Sequence, residues 1–237
     1  MNLQTLLLKN QAKPRDFRVV NDANEATIYL YDVIGDDWFG GITAADFAAQ
    51  LNAITAQTIH LRINSPGGDV FAGRAMATAL QQHPANVIAH IDGLAASSAS
   101  WVALACDEVE IANGAFFMIH NSWTLAMGDK TAMLDTAALL EKIDNTFVAD
   151  YSKRTGKTAD EIRAWMDAET WFEAADAVAN GFADRIAAEK QKANNAWDLS
   201  AYANAPKPKA QTEPELQPDR EAMNRRMRVL SLERIAA

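Results

Sequence analysis

Two residues with complementary chemistry stand close to apolar segments of the chain. Ser97 lies among small residues in GLAASSAS (93–100), and His120 ends the apolar run FFMIH. A serine hydroxyl becomes a nucleophile when a base removes its proton, and histidine is well suited to that role near neutral pH. Ser97 and His120 are therefore a candidate nucleophile and base. Each feature alone is more typical of ordinary packing, because small residues fill tight junctions and histidines occur at the rim of a core.

The surroundings of Ser97 favour a reactive turn. The stretch follows a predicted strand and precedes a predicted helix at 98–105. Bulky neighbours would block access to a nucleophile in a tight bend, and none are present. The first N–H groups of the helix would point at the reaction centre together with the positive end of its dipole.

A glycine-rich loop follows another predicted strand at INSPGGDV (63–70). Paired glycines such as Gly67 and Gly68 allow positive φ and a close approach of backbone to a ligand. The loop could supply an oxyanion-hole N–H or bind a substrate strand through its main chain, or it could be a plain turn. It is not a phosphate-binding loop, because the Lys-Ser/Thr pair that should follow is missing.

The remaining histidines and the single cysteine have plainer settings. His60 and His90 lie inside strand patterns, and His83 precedes a proline turn. Cys106 ends the apolar run WVALAC, so it is interpreted as a core residue.

Strands and helices alternate along the first half of the chain, which indicates βαβ units and a parallel sheet. The predicted strands cover 27–33, 58–63, 87–92 and 107–112. The predicted helices cover 44–55, 71–82 and 98–105.

The second half is predicted to be mainly helical. Apolar residues at helical spacing predict one long amphipathic helix over 130–153, which Gly156 ends. Thr158 and Glu161 form a capping box for the next helix. A short helix then stops at Gly181, before a last strand at 182–186.

The composition divides the chain into four parts. An N-terminal segment (1–24) precedes the α/β domain (25–188), and a Pro-rich flexible linker (189–219) leads to an amphipathic C-terminal helix (220–237). The last helix is expected to dock on an oligomer, to bind a partner, or to be removed during maturation.

Charge and hydropathy exclude several classes of protein. The net charge is −9, which argues against binding to duplex nucleic acid. No apolar run approaches the ~20 residues that span a bilayer, and the start of the chain is a poor signal peptide. A cytoplasmic protein is expected.

GLAASSAS, INSPGGDV and FFMIHNSW, in this order and spacing, resemble the ClpP family of serine peptidases over residues 25–188. The resemblance implies a ClpP/crotonase-like α/β superhelix of repeated β-β-α units with a long helical arm. The segment YDVIGDDWFGGITAADF and the Pro-rich tail look most like the phage and prophage branch, whose members are associated with capsid maturation.

The resemblance also implies a catalytic triad. Ser97 would be the nucleophile and His120 the base. An ungapped match from Gly156 to Gly181 puts Glu169 at the position of the acid, where the family more often has Asp. Glutamate can still orient an imidazole, and Asp167 is the alternative acid.

The two loops would complete the site. By the same resemblance, the N–H groups of Gly68 and Ser98 would form the oxyanion hole. Gly67, Asp69 and Val70 would bind the substrate backbone as an added strand. Neither a metal nor an organic cofactor is implied.

The resemblance also implies a homo-oligomeric ring or double ring, in which the helix at 130–153 is expected to make ring-to-ring contacts. Expected partners are peptide or protein substrates, and phage capsid or scaffold proteins or a Clp ATPase. Neither nucleic acid nor a membrane is expected as a partner.

Three other functions remain as alternatives. Crotonase relatives bind acyl-CoA on this fold, but that function would leave Ser97 and His120 unused. A Ser-Lys peptidase would need Lys130 or Lys142 to face the serine. A catalytically inactive structural or assembly subunit of the same fold would also explain the tail.

Overall fold

The structure is a computed structural model that describes residues 16–22, 24–35, 41–188 and 197–206. Within these ranges the strands are β1 Asp16–Asn21, β2 Glu25–Tyr31, β3 Thr58–Ser65, β4 Asn86–Ala96, β5 Glu108–Ile111, β6 Phe116–Ile119, β7 Thr170–Glu173 and β8 Arg185–Ile186. The helices are α1 Ala44–Asn52, α2 Val70–Gln82, α3 Ser98–Leu104, α4 Lys130–Thr155, α5 Ala159–Asp167 and α6 Ala174–Ala179.

The strands form one mixed sheet. Its main path runs β1-β2-β3-β4-β5-β8, and every pair on it is parallel except β1 with β2. The long strand β4 pairs with β5 through residues 88–91 and with β6 through residues 94–96. β6 in turn pairs antiparallel with β7. The sheet therefore forks at β4, and the carboxyl ends of β4 and β6 lie side by side.

The core lies between the sheet and its helices. Alternate residues of β3 are fully buried, as a strand covered on one face requires: Ile59, Leu61 and Ile63. Phe47 of α1 and Met76 of α2 are also fully buried in this core. This packing confirms the predicted α/β fold with parallel βαβ units.

The opposite face of the same strands is polar. The His60 Nδ1 and His90 Nε2 atoms are 2.9 Å apart, and Arg62 forms an ion pair with the buried Asp92. Tyr31 donates its hydroxyl to the same Asp92 carboxylate. His60 and His90 thus belong to a side-chain network on the sheet, as their places inside strand patterns suggested.

The helix α4 is only partly covered by the rest of the described chain. Its buried residues, Phe147, Val148 and Tyr151, all lie in its second half. Leu134 and Leu139 in the first half are more than 50% exposed. The first half is therefore an arm with an apolar surface.

Several boundaries differ from the predictions. The α/β domain begins before residue 25, because β1 pairs with β2 along its full length. The strands β6 and β7 were not predicted, since each has only four residues. The predicted last strand at 182–186 is reduced to Arg185–Ile186.

Residues 197–206 also differ from the predicted linker. Three residues of this segment are buried against Leu94 and Met118, on the face of the sheet opposite the core: Trp197, Ala201 and Tyr202. Two large aromatic side chains outweigh the polar composition of the surrounding stretch because they bury a large apolar area. Residues 189–196 and the predicted C-terminal helix at 220–237 lie outside the described residues.

Candidate active site

Ser97 occupies a strained turn between β4 and α3. Its φ of 54° and ψ of −127° are rare for a residue other than glycine. Neighbouring hydrogen bonds hold this conformation: the Ser97 N–H donates to the Met118 carbonyl at 3.1 Å, and the Ser97 carbonyl accepts from the Ser100 N–H at 3.0 Å. Strain of this kind persists where the surroundings enforce it, which is typical of functional sites and of serine nucleophiles at strand-to-helix turns.

The buried hydroxyl groups of Ser100 and Tyr151 stabilise the Ser97 turn. The Ser100 hydroxyl donates to the Ser97 carbonyl at 2.6 Å and lies 2.7 Å from the hydroxyl of Tyr151 on α4. Neither residue was singled out in the sequence, since a serine in a small-residue run and a tyrosine at helical spacing are ordinary core positions.

We expect Tyr151→Phe to lower the free energy of unfolding by about 1 kcal/mol, because the buried Ser100 hydroxyl loses a partner. Urea denaturation followed by circular dichroism would measure the change. Tyr29→Phe is the matched control, since the Tyr29 hydroxyl has no hydrogen bond to any described residue. An equal loss in both variants would contradict the supporting role of Tyr151.

His120 follows β6 directly, and its position explains its contact with Ser97. The parallel pairing of Ala96 with Met118 brings the two strand ends to the same edge of the sheet. The His120 Nε2 atom lies 2.9 Å from the Ser97 Oγ atom. The structure thus brings together the two residues that the sequence indicated as nucleophile and base.

Electrostatics keep the His120 ring neutral. Burial lowers the pKa of His120 to about 4, although the negative charges of Glu169 and Asp144 oppose the shift. The imidazole is therefore unprotonated at neutral pH and can accept a proton at Nε2.

The glycine loop lies against the Ser97 turn. A Cβ atom on Gly67 would be 2.8 Å from the Ser97 Cβ and 2.5 Å from the Ala96 carbonyl oxygen, so only glycine fits there. Gly67 has φ 85° and Gly68 has φ 151°. The side-chain-free backbone is what allows the loop to approach the turn so closely.

The predicted oxyanion-hole amides are free to bind a ligand. Ile34 fixes the loop, because its N–H donates to the Gly67 carbonyl at 2.9 Å and its carbonyl accepts from the Asp69 N–H at 2.8 Å. Among the described residues, neither the Gly68 nor the Ser98 amide has a hydrogen-bond acceptor. Two backbone donors beside a serine hydroxyl are the arrangement that stabilises an oxyanion.

Of the other predicted substrate-binding residues, Asp69 uses its backbone within the fold, since its carbonyl accepts from the Gly73 N–H at 3.0 Å in addition to the bond of its N–H to Ile34. The Asp69 carboxylate caps α2 by accepting from the Ala72 N–H at 2.6 Å. Val70 begins the same helix and is partly exposed.

The two candidate acids have different neighbours. The Glu169 carboxylate accepts from the N–H groups of Asn204 at 2.8 Å and Ala203 at 3.2 Å, and from the Trp171 indole at 3.3 Å. Within the described ranges it has no hydrogen bond to His120. The Asp167 carboxylate accepts from the Asn121 side chain at 2.8 Å.

A third carboxylate near His120 was missed by the sequence analysis. Asp144 of α4 accepts hydrogen bonds from the N–H of Ser122 at 2.7 Å and from its hydroxyl at 2.6 Å. Its charge acts on His120. No pattern in the sequence could have indicated it, because it is one of several acidic residues on a long helix.

Trp197 and Tyr202 were also missed as neighbours of the site. The Trp197 indole donates to the Asn64 carbonyl at 2.9 Å, and the Tyr202 hydroxyl donates to the Pro66 carbonyl at 2.7 Å. The only signal in the sequence was the presence of two aromatic residues inside a stretch that is otherwise small and polar.

The described residues contain no group of three or more His, Cys, Asp or Glu arranged to hold a metal ion. In the same part of the chain, no helix combines the length and apolar character needed to cross a bilayer.

Comparison with known proteins identifies the family. The family model described as Clp protease matches residues 12–190, which is more than half of the 237 residues. The chain belongs to the Clp protease family. As a member of the Clp protease family, it is a serine-type peptidase.

Individual Clp relatives cover most of the same region. The ATP-dependent Clp protease proteolytic subunit 1 of Leifsonia xyli is 30% identical over 149 residues, covering 60% of this chain and 76% of the relative. The proteolytic subunit 2 of Rhodococcus jostii is 29% identical over 178 residues, covering 71% of this chain and 87% of the relative. A ClpP1 variant from Listeria monocytogenes has the same fold, with a TM-score of 0.61 at 21% identity over 69% of this chain and 92% of that one.

Proposed function

We propose that this Clp-family chain is a serine endopeptidase in which Ser97 is the nucleophile and His120 the general base. The observation that carries the proposal is the 2.9 Å contact between Ser97 Oγ and His120 Nε2 at a strained turn. A neutral imidazole at hydrogen-bond distance from a serine hydroxyl is the arrangement that activates the hydroxyl.

The reaction proceeds through an acyl-enzyme. His120 Nε2 takes the hydroxyl proton as Ser97 Oγ bonds to the peptide carbonyl carbon, and the carbonyl oxygen becomes an oxyanion. The N–H groups of Gly68 and Ser98 stabilise this oxyanion, each donor contributing about 3 kcal/mol in comparable sites. The protonated His120 then gives its proton to the leaving amine, and water hydrolyses the ester by the same steps in reverse roles.

Glu169 is the proposed acid. Of the two carboxylates considered in the sequence, it is the one whose charge acts on His120. In the reactive state its carboxylate would accept a hydrogen bond from the His120 Nδ1–H and stabilise the imidazolium. Asp167 is the weaker candidate because its charge is not among those that shift the pKa of His120.

The loop from Gly67 to Val70 is the proposed substrate-binding strand. The loop would hold an extended peptide beside Ser97 through the main-chain groups that its own hydrogen bonds to Ile34, Ser65 and Gly73 leave unused, such as the Val70 N–H, which has no acceptor among the described residues. Such binding recognises the peptide backbone, so many sequences would be accepted at this position.

The working form is proposed to be a homo-oligomeric ring. Leu125 and Met127, just before α4, are about 90% exposed, and Leu134 and Leu139 extend the apolar surface along the arm. Large exposed apolar surfaces mark protein interfaces. Sedimentation of the full chain at micromolar concentration should give a species much larger than 25.9 kDa, and a monomer would contradict the ring.

The biological setting is proposed from sequence resemblance. The segment YDVIGDDWFGGITAADF and the Pro-rich tail support a phage or prophage capsid-maturation protease in the host cytoplasm. The alternative is a degradation subunit that works with a Clp ATPase, as the names of the ATP-dependent relatives suggest.

Fluorophosphonate labelling tests the nucleophile. The full chain and its Ser97→Ala variant would be incubated with the reagent for hours and examined by intact-mass spectrometry. We expect one adduct on the wild type and none on the variant. Absence of an adduct on folded, assembled wild type, or an adduct on both, would overturn the assignment of Ser97.

A further inference from the structure

The segment 197–205, which we call the strap, is anchored by hydrogen bonds to the loop that precedes Gly67 and Gly68. The Trp197 indole N–H donates to the Asn64 carbonyl, and the Tyr202 hydroxyl donates to the Pro66 carbonyl. Both side chains are less than 10% exposed. The strap therefore has a defined seat against the loop that leads to Gly67 and Gly68.

The strap also holds the carboxylate of Glu169. The backbone N–H groups of Ala203 and Asn204 both donate to it, and the Asn204 side chain donates to the Ala168 carbonyl at 2.7 Å. Glu169 itself has φ 48°, an uncommon backbone conformation for glutamate. The carboxylate is thus satisfied by the strap, and among the described residues it has no hydrogen bond to His120.

The third contact of the strap is with the base itself. The Tyr202 ring lies edge-on to the His120 ring with 5.8 Å between centroids, and edge-on to the Trp171 ring at 5.4 Å. One side of the imidazole is therefore covered by an aromatic side chain that belongs to a different part of the chain.

We propose that the strap inhibits the peptidase site in cis, by retaining Glu169 on its backbone amides and by covering His120 until it is released. The inference rests on the proposed roles of Ser97 and His120. A segment held by a few hydrogen bonds and three buried side chains can open locally without unfolding the domain. Only the open fraction of the chain then has Glu169 free to orient the imidazole.

The electrostatics of His120 agree with an inhibited state. Burial lowers the pKa of His120 to about 4, against the opposing charges of Glu169 and Asp144. A general base works best when its pKa is near the operating pH, so a covered imidazole is a weak base. Removal of the Tyr202 ring would expose His120 to water and raise its pKa.

Two truncations of the full chain separate the strap from the rest of the tail. One ends at Ala188 and lacks the strap, and the other ends at Pro206 and retains it. We expect the form ending at Ala188 to react with fluorophosphonate at Ser97 about tenfold to a thousandfold faster than the full chain, as for a minor open state. The form ending at Pro206 should react at the rate of the full chain. Equal or slower labelling of a folded Ala188 form would overturn the proposal.

The truncated chain could misfold because Leu94 and Met118 lose the residues that cover them. A second variant therefore tests the strap in the full chain. The double substitution Trp197→Phe and Tyr202→Phe keeps an aromatic ring at each position and removes both anchoring donors. We expect faster labelling than in the full chain, and an unchanged rate would count against the strap. A synthetic peptide of residues 197–206 should slow the labelling of the Ala188 form again.

Titration of His120 by NMR distinguishes the two proposals. We expect its pKa to rise from about 4 toward its ordinary value of about 6.5 when the strap is removed. If the pKa of His120 rises when the strap is removed but neither form is labelled at Ser97, the strap does cover His120 and the proposed nucleophile is wrong. If both forms are labelled equally and the pKa is unchanged, only the strap proposal fails.

Discussion

A chain carrying His120→Ala is expected to hydrolyse peptides about 10⁴-fold more slowly than the wild type, or slower still, as measured by kcat/KM. The His120 Nε2 atom lies 2.9 Å from Ser97 Oγ and is the proposed acceptor of its proton. Without that acceptor the hydroxyl stays protonated at neutral pH and attacks poorly. The fold should persist, because the ring lies at the end of β6 rather than inside the core.

A double variant tests whether His120 acts together with Ser97. Residues that act as one catalytic unit are not additive, so Ser97→Ala combined with His120→Ala should be no slower than either single variant. His83→Ala is the matched control, since His83 only accepts a hydrogen bond from the Ala85 N–H at a turn. Retention of about a tenth of the activity by His120→Ala would show that another group is the base.

Gly68→Ala is expected to lower kcat by about 10²- to 10³-fold, the usual cost of losing one oxyanion-hole donor. A Cβ atom at this position would lie 2.0 Å from the Ile34 carbonyl oxygen, and the φ of 151° disfavours any side chain. The loop must therefore shift, and the Gly68 amide moves away from the oxyanion. KM for a peptide ester should change less than kcat, because the lost interaction belongs mainly to the transition state.

Gly156→Ala separates this effect from general destabilisation. Gly156 also has positive φ, at 72°, but a Cβ atom there meets nothing within 4 Å. The variant should lose about 1 kcal/mol of stability, from backbone strain alone, and keep its kcat. Comparable losses of kcat in both glycine variants would mean that the Gly68 effect arises from instability.

The contact between Ser97 and His120 could be anticipated because the three motifs, in their order and spacing, resemble one family, although each motif alone was more typical of ordinary packing. Ser97 and His120 each directly follow a strand, although only the strand that leads to Ser97 was predicted, and the paired glycines indicate a loop with unusual backbone geometry. Residues after parallel strands collect at one edge of the sheet, which explains why three motifs that are distant in sequence meet at one place in the structure.

The neighbours of Glu169 could not be predicted from the sequence. Glu169 is bonded to backbone amides of residues 34 and 35 positions later, and amides carry no signature in the sequence. The strap was interpreted as a linker because its composition is polar, although Trp197 and Tyr202 alone are enough to seat it. Asp144 lies on α4 and is indistinguishable by pattern from the other acidic residues there.

The positive φ of Ser97 has a consequence for how the sequence of this protein would evolve. A positive φ costs on the order of 1 kcal/mol for serine and almost nothing for glycine, so the wild type gives up stability to present its hydroxyl. A descendant no longer selected for peptide cleavage would gain stability from glycine at this position. Persistence of serine there is thus a sign of continued selection for the reaction, and its replacement by glycine would mark a lineage in which only the assembly is still under selection.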